Sequence, residues 1–103
     1  MRKAKVFYKN ELAGFLEETE EGFRFYYDDE FKNKNTPISA SLPLKGSPFK
    51  NKTLFPFFEG LLPEGWYLDI ISAKNKIDKK DLFAILLATS GDTIGAVSLE
   101  EIK

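Results

Sequence analysis

The sequence contains neither cysteine nor histidine. Without cysteine there is no disulfide framework, no thiolate nucleophile and no cysteine metal site. Without histidine the commonest general base at neutral pH and the commonest metal ligand are both missing. No apolar run approaches the roughly 20 residues that a membrane-spanning helix needs. The basic start Met1-Arg2-Lys3-Ala4-Lys5 is followed by no apolar segment of the kind a signal peptide requires. An excess of either charge is absent too: 15 basic and 16 acidic residues leave a net charge of −1. Nucleic-acid binders usually carry a basic excess, because neutralising phosphates supplies most of their non-specific affinity. These absences predict a soluble cytoplasmic protein with no metal, no cofactor, no membrane anchor and no direct nucleic-acid contact.

What the chain does have is apolar mass. Its 103 residues are 43% hydrophobic and include ten phenylalanines, enough for one core and one domain over residues 1–103. The densest stretch runs from Phe55 to Trp66, where aromatics, two prolines, two glycines and the single tryptophan crowd together. A chain this short buries only roughly two-thirds of its unfolded surface, so part of its aromatic load falls on the outside.

The first forty-odd residues read as strands. Val6 and Tyr8 alternate with Lys5 and Phe7, and Lys9-Asn10-Glu11 supplies a turn. Leu12, Gly14 and Leu16 alternate with Ala13 and Phe15, with Gly14 suited to a bulge or to close approach of an aromatic neighbour. After Glu20-Glu21-Gly22, the residues Phe23, Phe25 and Tyr27 alternate with Arg24 and Tyr26. This is the pattern of an antiparallel meander with one buried face. Asp28 to Pro37 reads as a polar loop, Ile38 to Leu42 as a fourth strand stopped by Pro43, and Leu44 to Asn51 as a connecting loop.

The period then changes. Thr53 or a neighbour is expected to cap a short helix from Pro56 that ends at Pro63. A second helix spans Glu64 to Lys74, with Trp66 at its start and Tyr67, Ile70 and Ile71 at helical spacing. Asp78 is the expected cap of a third helix, with Asp81 favouring its positive end and Leu82, Phe83, Ile85, Leu86 and Leu87 forming a broad apolar face. Ser90-Gly91-Asp92 stops it, and Ile94 to Leu99 forms a last strand. The expected core sets Phe57, Leu61, Leu82, Ile85 and Leu86 against Phe23, Phe25 and Ile38.

Catalytic machinery is missing from this pattern. Gly91 and Gly95 lack both the spacing and the lysine of a phosphate-cradling loop, and Asp92 between them is acidic. Glu17 and Glu18 point to opposite faces of a strand. Glu59 and Glu64 flank Pro63 with no nucleophile beside them, and Ser39 and Ser41 have no histidine to activate them. No enzymatic activity is expected. Trp66 has two readings: beside the break Leu62-Pro63-Glu64-Gly65 it either folds back on the domain or projects as an interface anchor. The sheet aromatics Tyr8 and Tyr26 are the next candidates for contact.

Three segments occur in order: Ser39-Ala40-Ser41-Leu42-Pro43-Leu44, then Leu54 to Gly65, then Gly91-Asp92-Thr93-Ile94-Gly95-Ala96. Together they resemble the N-terminal subdomain of HipA-like serine/threonine kinases, the toxins of bacterial toxin–antitoxin systems. The resemblance implies an α+β fold: a small antiparallel sheet, from the N-terminal meander plus later strands, packed against about three short helices. The strands-then-helices order agrees. A HipA kinase continues into a much larger catalytic core, whereas this chain ends at Lys103. A free-standing version is similar to the HipS-type antitoxins of three-gene HipBST systems. That resemblance implies an antitoxin that restrains a separate HipT-like kinase toxin, with a HipB-like DNA-binding protein as a third partner. The partner-binding residues expected are Leu62, Pro63, Glu64, Gly65 and Trp66. The alternatives are an N-terminal subdomain cut from a full-length kinase and an accessory protein in transcriptional autoregulation of the operon.

Overall fold

The computed structural model describes residues 1–62, 65–89 and 96–102, apart from the side chains at positions 66 and 67. The N-terminal meander consists of β1 (Lys3–Tyr8), β2 (Glu11–Thr19) and β3 (Gly22–Tyr27). Two further strands, β4 (Phe49–Asn51) and β5 (Val97–Ile102), complete a five-stranded antiparallel sheet of order β4-β3-β2-β1-β5. The helices are α1 (Pro56–Glu59), α2 (Gly65–Asn75) and α3 (Leu82–Thr89). The fold is α+β, as expected.

The β1–β2 turn is built by Lys9 and Asn10, both with positive φ (50° and 68°), the backbone of a two-residue hairpin whose twist matches its strands. The β1–β2 register then slips: Val6 faces Gly14, but Phe7 faces Leu12. Ala13 is thus the extra residue of a bulge, which turns Ala13 rather than Leu12 into the core. Gly14 shows why no side chain fits beside it, since a Cβ there would lie 2.3 Å from the Tyr26 carbonyl oxygen. Both expectations for Gly14 hold.

Ala4, Val6, Leu16, Phe25 and Tyr27 form the buried face of the sheet, and Phe58, Phe83 and Leu86 from the helices pack into the same core. The Phe25 and Phe58 rings lie 5.6 Å apart, and those of Phe23 and Phe83 lie 5.9 Å apart. The opposite face carries Phe15 stacked on Tyr26 at 5.2 Å, with Lys3 and Arg24 over the Tyr26 ring.

Several local expectations are corrected. Ile38 to Leu42 is not a strand. The Tyr27 hydroxyl donates to the Leu42 carbonyl and accepts from the Ile38 amide at 3.1 Å. The Ser39 Oγ accepts from the Ser41 amide at 3.2 Å, a local bond that competes with a strand ladder. Ile38 and Leu42 are still buried, but Ala40 is exposed. The fourth strand is instead Phe49–Asn51, inside the segment expected to be a loop and too short to show alternation. The polar stretch after Asp28 contains a 3₁₀ turn, Phe31–Lys34, whose buried Phe31 stacks on Tyr27 at 5.7 Å. Phe58 rather than Phe57 is the fully buried residue of α1, and Phe57 packs at its margin. Thr53 does not cap α1; Phe55 occupies the N-cap position without a side-chain bond. The last strand lies three residues later than expected, paired with the whole of β1. The expected stop at Ser90-Gly91-Asp92 lies outside the described residues, as does Ile94.

Candidate partner-binding site

The expected contact segment begins where α1 runs out. Pro56 opens α1 at a position where its missing N–H costs nothing. Below it, Phe55 and Phe58 are buried with their rings 6.3 Å apart, which anchors the segment to the core. Beyond Glu59 the backbone tightens. The Leu61 amide donates to the Phe58 carbonyl at 3.1 Å and the Leu62 amide to the Glu59 carbonyl at 3.1 Å. These three-residue bonds satisfy carbonyls that a short helix leaves open. Leu61 and Leu62 are half-buried against the core, so Leu62 is at least partly a packing residue.

Pro63, Glu64 and the Trp66 side chain lie outside the described residues. Gly65 opens α2 with φ of 58°, a left-handed value that costs other residues energy, and its position is exposed with no heavy atom within 4 Å of a would-be Cβ. The segment therefore starts from a fixed point at Leu62 and re-emerges at an open one at Gly65. Of the two fallback aromatics, neither is free. Tyr8 packs at the edge of the core 6.2 Å from Phe31, and Tyr26 lies beneath Lys3 and Arg24.

The far end of α2 is held by its own exit loop. Lys76 adopts a left-handed φ of 55°, the Ile77 amide donates to the Ser72 carbonyl at 2.9 Å, and the Ser72 hydroxyl donates to the Ile77 carbonyl. Asp78 does not cap α3, contrary to expectation. Its carboxylate accepts from the Lys80 amide at 2.9 Å in a local turn, and the cap falls to Asp81, which accepts from the Ala84 amide at 3.2 Å.

Asp81 also joins the cluster that sequence reasoning missed. The Arg2 guanidinium forks to both Asp81 oxygens at 2.7 and 3.0 Å and to both Glu18 oxygens at 2.7 and 2.9 Å. It also lies 5.3 Å from the centre of the Phe83 ring. The hydrogen bonds from Arg2 hold both carboxyls below the usual carboxylate range, and the two carboxylates raise the Arg2 pKa further. This cluster fastens the start of α3 to the sheet. It is a structural tie with no nucleophile in it. Among the described residues no group of three or more acidic side chains is placed to hold a metal ion.

A protein-family model described as the HipA N-terminal domain matches residues 4–100. The chain belongs to the HipA N-terminal domain family. A solved structure titled "N-terminal domain of HipA toxin" superposes with a TM-score of 0.79 at 34% identity, covering 100% of this chain and 94% of that one. An uncharacterized protein of Haemophilus influenzae is 39% identical over 103 residues, covering 100% of this chain and 95% of that protein. A putative kinase of Sinorhizobium fredii, Y4mE, is 31% identical over 102 residues, which are 96% of this chain but 24% of the kinase. The serine/threonine-protein kinase toxin HipA of Shewanella oneidensis is 30% identical over 80 residues, or 18% of its length. Against both kinases, this HipA N-terminal domain chain spans a quarter of the relative or less. Among the described residues no helix is long and apolar enough to cross a membrane.

Proposed function

We propose that residues 1–103 act as one unit, a HipS-like antitoxin that binds a separate HipT-like kinase toxin and restrains it by direct contact. The observation that carries this reading is a relation of sizes. The same domain makes up a small part of the kinase relatives and nearly the whole of the Haemophilus relative. A domain that is built beside a kinase in one chain is suited to dock on a kinase supplied by another. On this reading the chain has no catalysis of its own and binds no ATP, and a HipB-like DNA-binding protein completes the complex in the cytoplasm.

The contact runs through Leu62-Pro63-Glu64-Gly65-Trp66. Leu62 fixes the segment to the core, Gly65 leaves room for close approach, and Trp66 serves as the anchor, a residue type enriched at the centres of interfaces. Glu64 fits the dipole at the start of α2.

Co-expression with the neighbouring reading frames, followed by pull-down on this chain, is expected to recover a HipA-family kinase. Losing a central interface tryptophan commonly costs about 2 to 4 kcal/mol, roughly thirty- to a thousand-fold in affinity. The Trp66→Ala chain is therefore expected to keep a near-normal circular dichroism spectrum and fail to protect cells that express the kinase. An unfolded mutant would make Trp66 a core residue, and a folded mutant that still protects would move the contact elsewhere. Calorimetry with ATP and magnesium is expected to show no saturable heat from this chain alone.

The kinase relatives favour one other reading, in which this chain is the N-terminal part of a longer kinase. In that case pull-down recovers no separate kinase.

A further inference from the structure

We propose that the outward strip of α2 centred on Ile70 is a second contact surface for the same partner, seated in an apolar groove of the separate kinase. This rests on the function proposed above and extends it beyond the turn at Trp66.

The strip stands out by exposure. Ile70 is 48% exposed, and the other large hydrophobic side chains exposed among the described residues, Met1 and Ile102, lie near the two ends of the chain. Leu68 and Ile71, on the flanks of α2, are half-buried, and the helix packs on α3 alone among its helical neighbours. A helix that is apolar on its outward side as well as its inward side is normally covered on both.

The chemistry around Ile70 selects the kind of cover. Asp69, the neighbouring acid, is paired with Lys79 within the chain, so the charge beside the strip is already neutralised. Ala73, three residues on, is exposed and small. The result is a neutral, apolar ridge, which fits a groove lined with apolar side chains and offers nothing to a phosphate backbone. Positions 66, 70 and 73 have the i, i+4, i+7 spacing by which a helix lays one face into a groove. The strip is thus continuous with the turn assigned to the kinase. The kinase relatives supply the occupant, since in them this domain shares its chain with a kinase that makes up most of the length.

The test compares wild type with Ile70→Glu and Ile70→Leu, each as the full chain, titrated by calorimetry against the kinase recovered by pull-down. Ile70→Glu is expected to melt within a few degrees of wild type, because the side chain is half-exposed, yet to lose about tenfold or more in affinity. Ile70→Leu keeps the apolar surface and is expected to bind within about threefold of wild type. If Ile70→Glu binds the kinase as wild type does, the strip proposal is overturned while the antitoxin reading stands. If wild type binds no kinase, both fall together. If Ile70→Glu instead abolishes self-association in sedimentation without changing kinase affinity, the strip is a contact between copies of this chain and the proposal is overturned.

Discussion

The helices α2 and α3 are adjacent, similar in composition and opposite in how they are held. Helix α3 buries Phe83, Ile85, Leu86 and Thr89, and its first turn is capped by Asp81 and tied by Arg2 to the sheet. Helix α2 buries Ser72 among its described side chains and leaves Ile70 open to solvent. Apolar content alone therefore does not say which helix belongs to the core. What separates them is anchorage: α3 is fixed by polar groups that reach it from the first and second strands. Helix α2 is fixed at its exit by Ser72 and Ile77, and at its entry follows a glycine with open space around it. Stability is concentrated in one helix, and accessible apolar surface in the other.

The contrast breaks most directly by truncating one leucine. Leu86→Ala removes a fully buried side chain and is expected to cost about 2 to 5 kcal/mol, read as a lower urea midpoint. An unchanged midpoint would mean that α3 is not packed on the sheet. Asp81→Ala removes the cap of α3 and one arm of the Arg2 cluster together, and a loss of about 1 to 2 kcal/mol is expected by the same measurement. The Asp78→Ala control is expected to cost less, because Asp78 serves only a local turn.

Acid sharpens the same point. The carboxyls of Glu18 and Asp81 titrate below their ordinary values because Arg2 bonds their charged forms. Groups with depressed folded values stabilise the protein above the unfolded pKa, near 4, and that stability is lost as pH falls through the lower folded values. Since all three side chains are partly exposed, the cluster is expected to contribute about 1 kcal/mol or less. Melting temperatures measured from pH 6 down to pH 2 are expected to fall less steeply for Arg2→Met than for wild type. The smallest effect belongs to α2. Ile70→Ala is expected to change stability by no more than about 0.5 kcal/mol, as usual for exposed positions. A loss of 2 kcal/mol there would erase the distinction between the two helices.

The meander was legible because its period survives in the residues themselves: Phe23, Phe25 and Tyr27 announce a strand without outside help. The three helices were legible for the same reason. Where the reading failed, a long-range bond had overruled a local pattern. Ile38, Ala40 and Leu42 alternate like a strand, but the Tyr27 hydroxyl captures the Ile38 amide and the Leu42 carbonyl before any ladder can. The cap of α3 was misplaced by three residues because Asp78 and Asp81 are equally good caps in sequence, and only Arg2, 79 residues away, distinguishes them. Of the expected contact segment, the helix break and the open approach at Gly65 follow from proline and glycine chemistry. The partial packing of Leu62 does not, because it depends on Phe58 turning inward in place of Phe57.

The strand order carries a consequence for synthesis. β1 is the first strand to leave the ribosome, yet it ends up inside the sheet, with β2 on one side and β5 on the other. Its first neighbour follows within a few residues; its second is made only at Val97–Ile102. Throughout nearly all of translation, then, β1 is an open edge whose amides and carbonyls have no permanent partner, the state in which nascent strands find wrong ones. The bulge opposite Val6 and Phe7 and the alternating lysines Lys3 and Lys5 are features that discourage pairing with a stranger during that interval.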